Sequence, residues 1–282
     1  MGASLLITLR EGLEISLILA ILIAYMVKTG RAHETRAVWF GSGVAAVLCL
    51  AFGIVVHLTV NGLHGKSEQA VEGTIAVIAC AVLTYMIFWM RNNARSIGGE
   101  LRAQIDTSNT VFALATIAFV AVVREGFETA LFLLSAESSS ASGSEVVFGG
   151  LIGLAIAAVI GYYFYKLGNR VNLKKFFTAT GVLLIFFAAG LAGKAVHEFR
   201  ELFGIESGFF IEPAFTIESG PLHHGTTYDF LKGLFGWASN PERIRVITYF
   251  GYLIPVMYAF LRLSKGAEKT SAPAMAEATA SV

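Results

Sequence analysis

Two pentapeptides in this chain carry the same charges in the same order, Arg10-Glu11-Gly12-Leu13-Glu14 and Arg124-Glu125-Gly126-Phe127-Glu128. At about 100° per residue in an α-helix, the arginine and both glutamates of each segment share one face, while the glycine and the Leu or Phe turn away. Side by side, the two segments would offer four carboxylates and two guanidiniums, a formal charge of −2. Each guanidinium can pair with one carboxylate. The two carboxylates left over must then be protonated or meet a cation. Oxygen ligands suit hard cations such as ferric iron, manganese, magnesium or calcium better than copper(I) or zinc. A divalent ion would neutralise the set and a trivalent ion would exceed it by one, so charge alone leaves the metal open.

The elements that must position these groups are membrane spans. Of 282 residues, 55% are hydrophobic and only 15% charged, with a mean hydropathy of +0.67; soluble domains carry about 25% charged residues. An ordinary soluble enzyme is excluded. The net charge of +1 gives no basic surplus for a nucleic-acid partner. Cys49 and Cys80 sit singly in apolar runs and form no metal or redox motif. Seven runs approach the roughly 20 residues needed to cross about 30 Å of hydrocarbon: residues 3–27, 37–60, 73–90, 111–134, 146–167, 178–196 and 244–261. The first lacks a basic start and carries Arg10, Glu11 and Glu14, so it is a retained helix rather than a cleaved signal. Both charged pentapeptides lie inside runs, where each charge costs at least about 2.5 to 3.5 kcal/mol and marks a pathway or site by default.

Lys and Arg accumulate after the first, third, fifth and seventh runs, at Lys28, Arg31 and Arg36, then Arg91, Arg95 and Arg102, then Lys166, Arg170, Lys174 and Lys175, then Arg262, Lys265 and Lys269. The intervening loops are acidic. Because cytoplasmic loops retain basic residues, the N-terminus is expected outside. The first motif then lies about 10 to 17 Å from the outer entry of helix one, and the second about 9 to 15 Å from the outer exit of helix four. The two motifs meet at one level on antiparallel helices.

The expected fold is an all-α integral membrane protein of seven transmembrane helices, with two inverted three-helix repeats, residues 3–90 and 111–196. Glu72-Gly73 in the first repeat matches Thr180-Gly181 in the second. An outer loop, 197–243, and a last helix, 244–261, complete a permease domain of residues 1–263. A disordered cytoplasmic tail, 264–282, is expected after it. The aromatic residues of the outer loop, among them Phe209, Phe215, Tyr228 and Trp237, predict a cap or short interfacial helices. Ser135–Ser144 predicts a flexible outer loop, and the stripe Gly149, Gly153, Ala157 and Gly161 predicts close helix packing. Glu68 with Glu72, and His197 with Glu198 and Glu201, form acidic clusters at outer helix ends that could make an entry path. His223 and His224 are adjacent loop histidines, simplest as exposed residues.

Three other readings of the charged motifs compete. They could be an interhelical Arg–Glu strut. They could hold a di-iron redox centre, although such bundles use Glu-x-x-His motifs and neither pentapeptide has the histidine. They could relay protons in a carrier of another substrate, with no metal at all. His197-Glu198-x-x-Glu201 is one histidine short of a zinc-protease motif, and Gly190 to Lys194 lacks the spacing of a phosphate-binding loop.

The paired Arg-Glu-x-x-Glu motifs, the seven spans, the segment from Lys194 to Glu201 and the Tyr228-Asp229 pair before the last helix together resemble the oxidase-dependent iron permease family. This is the family of the fungal high-affinity iron permeases and bacterial EfeU proteins. The resemblance covers about residues 3–262. It implies a transporter rather than an enzyme, placed in the cell membrane and most simply the bacterial inner membrane. Ferrous iron would be oxidised by a partner of multicopper oxidase or haem peroxidase type, with a periplasmic iron-binding protein also implied. Ferric iron would be carried by Glu11, Glu14, Glu125 and Glu128, with Arg10 and Arg124 as electrostatic partners. Iron is then the transported substrate and no cofactor is permanently bound.

Overall fold

A computed structural model describes residues 2–62, 64–93, 99, 103, 105, 110–137, 143–167 and 173–280. Among these residues there are eight α-helices and no strand: α1 Gly2–Lys28, α2 Thr35–Asn61, α3 Lys66–Asn93, α4 Val111–Glu137, α5 Gly143–Leu167, α6 Leu173–Leu202, α7 Thr226–Phe235 and α8 Arg243–Ala280. Helices are what apolar segments of this length require, because only intrasegment hydrogen bonds satisfy the backbone away from water. Glycine sets where two of them stop. At the end of α1, Gly30 has φ +79°; its N–H bonds the Val27 carbonyl, and the Arg31 N–H reaches the Met26 carbonyl at 2.9 Å. Gly204 ends α6 in the same way, with the Ile205 N–H on the Arg200 carbonyl. This is the left-handed glycine cap that satisfies orphan carbonyls.

Five helical segments are long and apolar enough to cross a membrane: Ala32–Val60, Lys66–Arg91, Gly143–Tyr163, Thr178–Leu202 and Arg243–Arg262. The motif helices α1 and α4 are not among the five, although each has 27 residues and spans about 40 Å. Two elements extend beyond the apolar runs. Helix α3 begins at Lys66 rather than at residue 73, and α6 continues to Leu202, so Glu68, Glu72, His197, Glu198 and Glu201 all stand on helices. At the C-terminus, α8 is helical through Ala280, where disorder was expected from residue 264. Ala, Glu and Lys, frequent there, are strong helix formers; side chains past residue 262 lie outside the described residues. Of the expected Ser135–Ser144 loop, residues 138–142 lie outside them as well.

Helix pairing is orderly. α1 packs on α5, α2 on α4 and α3 on α6; α1 also touches α4, and α8 lies against α6. The small-residue stripe works as expected in α5. A side-chain carbon at Gly153 would collide with Thr8 and Leu5 of α1, and one at Gly161 with Ser16. The main core gathers Ile7 from α1, Leu83 and Met86 from α3, Phe132 from α4, Ile185 and Leu191 from α6 and Phe260 from α8. By contrast, α2 exposes Leu48, Val55 and Leu58, α5 exposes Phe148, Leu151 and Val159, and α8 exposes Ile247, Phe250 and Ile254. Apolar faces of that extent suit lipid rather than water.

The segment between α6 and α8 folds as a cap. Ala214 and Ile217 bond back to Pro241 and Ser239 at 2.8 and 2.9 Å. The short helix α7 ends at Gly236, whose φ of +66° closes the helix in a left-handed turn. Gly236 lies against Gly190 of α6, where the backbones approach so closely that a side-chain carbon on either glycine would collide with the other. Two glycines are therefore what seats α7 on the bundle.

Candidate metal centre

The two pentapeptides meet between α1 and α4. One carboxylate oxygen from each of Glu11, Glu14 and Glu125 lies within 4.8 Å of the other two, and all three residues are buried. Oxygens that share one ion at bond lengths of roughly 2.0 to 2.6 Å can be no more than about 4 to 5 Å apart. The three therefore stand at the separation one hard cation could close.

Arg10 anchors the α1 half. It is 3% exposed, with Nη1 on Glu11 Oε1 at 2.5 Å and Nη2 2.8 Å from Glu14 Oε1; Nη1 also donates to Met86 Sδ of α3 at 3.5 Å. The α4 half is looser. Arg124 Nε lies 3.3 Å from Glu128 Oε1 and 3.7 Å from Glu125 Oε1, its side chain 42% exposed and its guanidinium stacked 4.5 Å above the Trp89 ring. Guanidinium on indole is a favourable cation–π pair. Glu128 thus stays with its own arginine, outside the trio.

Each motif glutamate keeps one buried oxygen with no hydrogen-bond partner among the described residues: Glu11 Oε2, Glu14 Oε1, Glu125 Oε2 and Glu128 Oε2. Glu14 Oε1 faces Arg10 but off hydrogen-bond geometry. Buried polar atoms are normally satisfied, so unsatisfied oxygens on all three carboxylates of the trio make a set able to accept something.

The glycines of the motifs explain how the helices come this close. A side-chain carbon on Gly12 would stand 2.7 Å from Ala157 Cβ of α5, and one on Gly126 would stand 2.5 Å from Cys49 Sγ of α2. Each motif glycine therefore faces the helix that supports its own, while Phe127 packs edge-on against Phe52 of α2 at 4.6 Å.

The second group of sequence candidates is split by the fold. Lys194, buried on α6, bonds Glu72 at 2.7 Å and lies 3.9 Å from Glu198. His197 Nδ1 lies 2.9 Å from Glu242 Oε1 and its Nε2 3.5 Å from Glu201; Arg200 reaches Glu201 at 3.3 Å and Glu242 at 3.1 Å. Glu201 is exposed and accepts from Gln69 of α3 at 3.1 Å. Glu68 and His224 are exposed and His223 is half-buried. Sequence reasoning missed Lys194 as the cation of this cluster, although its place in an apolar run four residues before Glu198 is a signal. Glu242, Met86 and Trp89 gave none, being ordinary residues made relevant by helix packing.

A void of about 10 Å³ beside Arg10, lined also by Phe187 and Leu234, has room for about one water. Phe187 lines in addition a cavity of about 240 Å³ under α7.

The family model described as the iron permease FTR1 family matches residues 1–264. The ferrous iron permease EfeU of Yersinia pestis is 38% identical over 260 residues, 90% of this chain and 91% of that protein. The protein of the same name from Escherichia coli O6:H1 is 37% identical over 261 residues, 91% of this chain and 94% of its own length. That of Shigella sonnei is 37% identical over 260 residues, 90% and 93% respectively. No solved structure matches the chain.

Proposed function

Since the chain belongs to the iron permease FTR1 family, as a multi-pass membrane protein, we propose that it imports iron across the cytoplasmic membrane between its two Arg-Glu-x-x-Glu motifs. The observation that carries this reading is the convergence of Glu11, Glu14 and Glu125 from two helices, each with a buried oxygen that has no hydrogen-bond partner. Each carboxylate has an arginine within 4.0 Å, yet Glu11 Oε2 and Glu125 Oε2 meet no donor; a structural strut would satisfy them as well.

The path is built from seven spans with the N-terminus outside. Helices α1 and α4 join the five apolar ones because 27 residues suffice and because their charges face each other rather than lipid. An inverted repeat is supported by the pairing. Exchanging α1, α2 and α3 for α4, α5 and α6 turns the α1–α5 contact into α4–α2 and leaves α3–α6 and α1–α4 unchanged. Gly12 on Ala157 answers Gly126 on Cys49, and Gly161 on Ser16 answers Gly53 on Ala130. In this arrangement the ion leaves its water shell for Glu11, Glu14 and Glu125, and Glu128 is the fourth ligand once Arg124 releases it. Arg10 and Arg124 offset part of the site's negative charge and limit how tightly the ion is held. Rocking of one repeat against the other opens the site inward. The outer approach is assigned to Glu68 and Glu201 at the ends of α3 and α6; Glu72 and Glu198 are tied to Lys194, and His197 and Glu198 face the basic cavity under α7.

The ferric reading follows the oxidase-dependent family pattern, in which an oxidising partner and a periplasmic binding protein deliver the ion. Two observations favour direct carriage of ferrous iron. Four carboxylates and two guanidiniums sum to −2, which a divalent ion neutralises, and the relatives are named ferrous iron permeases. Liposomes containing the purified protein, offered radioactive iron as ferrous ion under reductant and as ferric ion with and without an oxidase, decide between them. Uptake in neither form, or proton flux without metal, overturns the iron reading.

A further inference from the structure

We propose that the cavity under α7 is a binding site for a small oxyanion, a carboxylate or phosphate group, held by Arg245 and Lys232 with Lys194 behind them. The cavity measures about 240 Å³ and lies among α6, α7 and the first turn of α8; Lys194, His197, Glu198, Tyr228, Lys232 and Arg245 supply its polar wall. By a measure in which one water takes about 10 to 15 Å³, it has room for roughly sixteen to twenty-four waters, ample for one small anion. It is smaller than the roughly 300 to 1,000 Å³ typical of organic-ligand pockets.

Charge decides the sign of the occupant. Lys194 is taken up by Glu72 at 2.7 Å, with Glu198 at 3.9 Å. The other neighbouring carboxylate, Glu242, is engaged by His197 at 2.9 Å and Arg200 at 3.1 Å. Arg245 donates Nη2 to the Gly236 carbonyl at 3.0 Å. Among the described residues, neither Arg245 nor Lys232 has a carboxylate within the 4.0 Å of an ion pair. Counting Lys194, Lys232 and Arg245 against Glu72 and Glu198 leaves one positive charge over, with His197 neutral. A largely enclosed guanidinium with no carboxylate in contact is costly, and its planar fork matches a two-oxygen acceptor. An added metal cation would meet three cationic side chains on the wall, so His197, Glu198 and Tyr228 do not make this a second metal site.

Such an anion has two sources, the free solute and the chelating anion that accompanies iron. The inference does not rest on the iron reading, because the first source involves no metal. The test is titration calorimetry of the full chain in nanodiscs with three probes: inorganic phosphate, metal-free citrate and ferric citrate. Saturable binding of phosphate or metal-free citrate by the wild-type protein supports the site with a free anion. Binding of ferric citrate alone supports it with an anion that arrives on the metal. In either case Arg245→Gln weakens binding about tenfold or more, and Arg245→Lys recovers part of it. Lys232→Gln, at a half-buried position on α7, gives the same direction should Arg245→Gln fail to fold. No saturable binding of any probe, or binding unchanged in both Gln variants, overturns the proposal.

Discussion

Replacing Glu125 by Gln separates an ion site from a structural strut, because the two predict opposite changes in stability. Glu125 shares its surroundings with the Glu11 and Glu14 carboxylates within 4.8 Å. At an effective dielectric constant of about 20, each pair of charges at that distance repels by about 3.5 kcal/mol. The opposing attraction comes from Arg124, 3.7 Å away and 42% exposed, where solvent screening discounts it. Whether the empty site carries that repulsion or relieves it by binding a proton, a neutral Gln of the same shape leaves the metal-free protein as stable as before or more stable. Ion binding moves the other way. Loss of one ligand charge costs a bound cation at least about 4 kcal/mol on the same scale, roughly a thousandfold in affinity. The assay is thermal unfolding of purified Glu125→Gln and wild-type protein with and without iron, paired with liposome uptake. The wild-type melting temperature should rise with iron by mass action; the variant should start level or higher and not respond. A variant that melts several degrees lower, yet still shifts with iron and transports it, would refute the reasoning and leave the motifs as struts.

Three further outcomes test the surrounding architecture. Gly12→Ala, which drives a methyl to 2.7 Å from Ala157, should destabilise by about 1 to 3 kcal/mol, with part recovered by adding Ala157→Gly; Gly126→Ala with Cys49→Gly should behave alike, and additivity in both cycles would remove the packing symmetry. Lys194→Met strands the half-buried Glu72 and Glu198 and should cost about 1 to 3 kcal/mol in thermal unfolding, most of it regained in Lys194→Met with Glu72→Gln; an innocuous single variant would mean the pair contributes nothing. Single cysteines at the exposed positions Ser67, Ser219 and His33, in a chain with Cys49 and Cys80 replaced, should label with an impermeant maleimide from outside at the first two and not at His33. The reverse pattern would invert the topology.

Much of this protein is legible in one dimension. Apolar length forces helices, since a backbone in lipid has no other partner. The repeated Arg-Glu-Gly-x-Glu segments announce a duplicated cluster of charges, and the 3.6-residue period puts them on one face. The aromatic loop correctly predicts a cap containing a short helix, and the α5 stripe predicts close packing. Periodicity, however, says which face of a helix is charged and not how far that face is rotated toward its neighbour. Rotation and height are set by contacts on other helices, such as Gly12 on Ala157 and Gly126 on Cys49, and these are distant in sequence. Only the tertiary structure therefore decided that Glu11, Glu14 and Glu125 converge while Glu128 stays with Arg124, and that Arg10 is sealed against Met86 while Arg124 lies on Trp89. It likewise decided that the acidic cluster on α3 and α6 is threaded by Lys194 and that His197 turns to Glu242. The physical reason is that charge pairing depends on distances of a few ångströms, which sequence spacing specifies within a helix and packing alone specifies between helices.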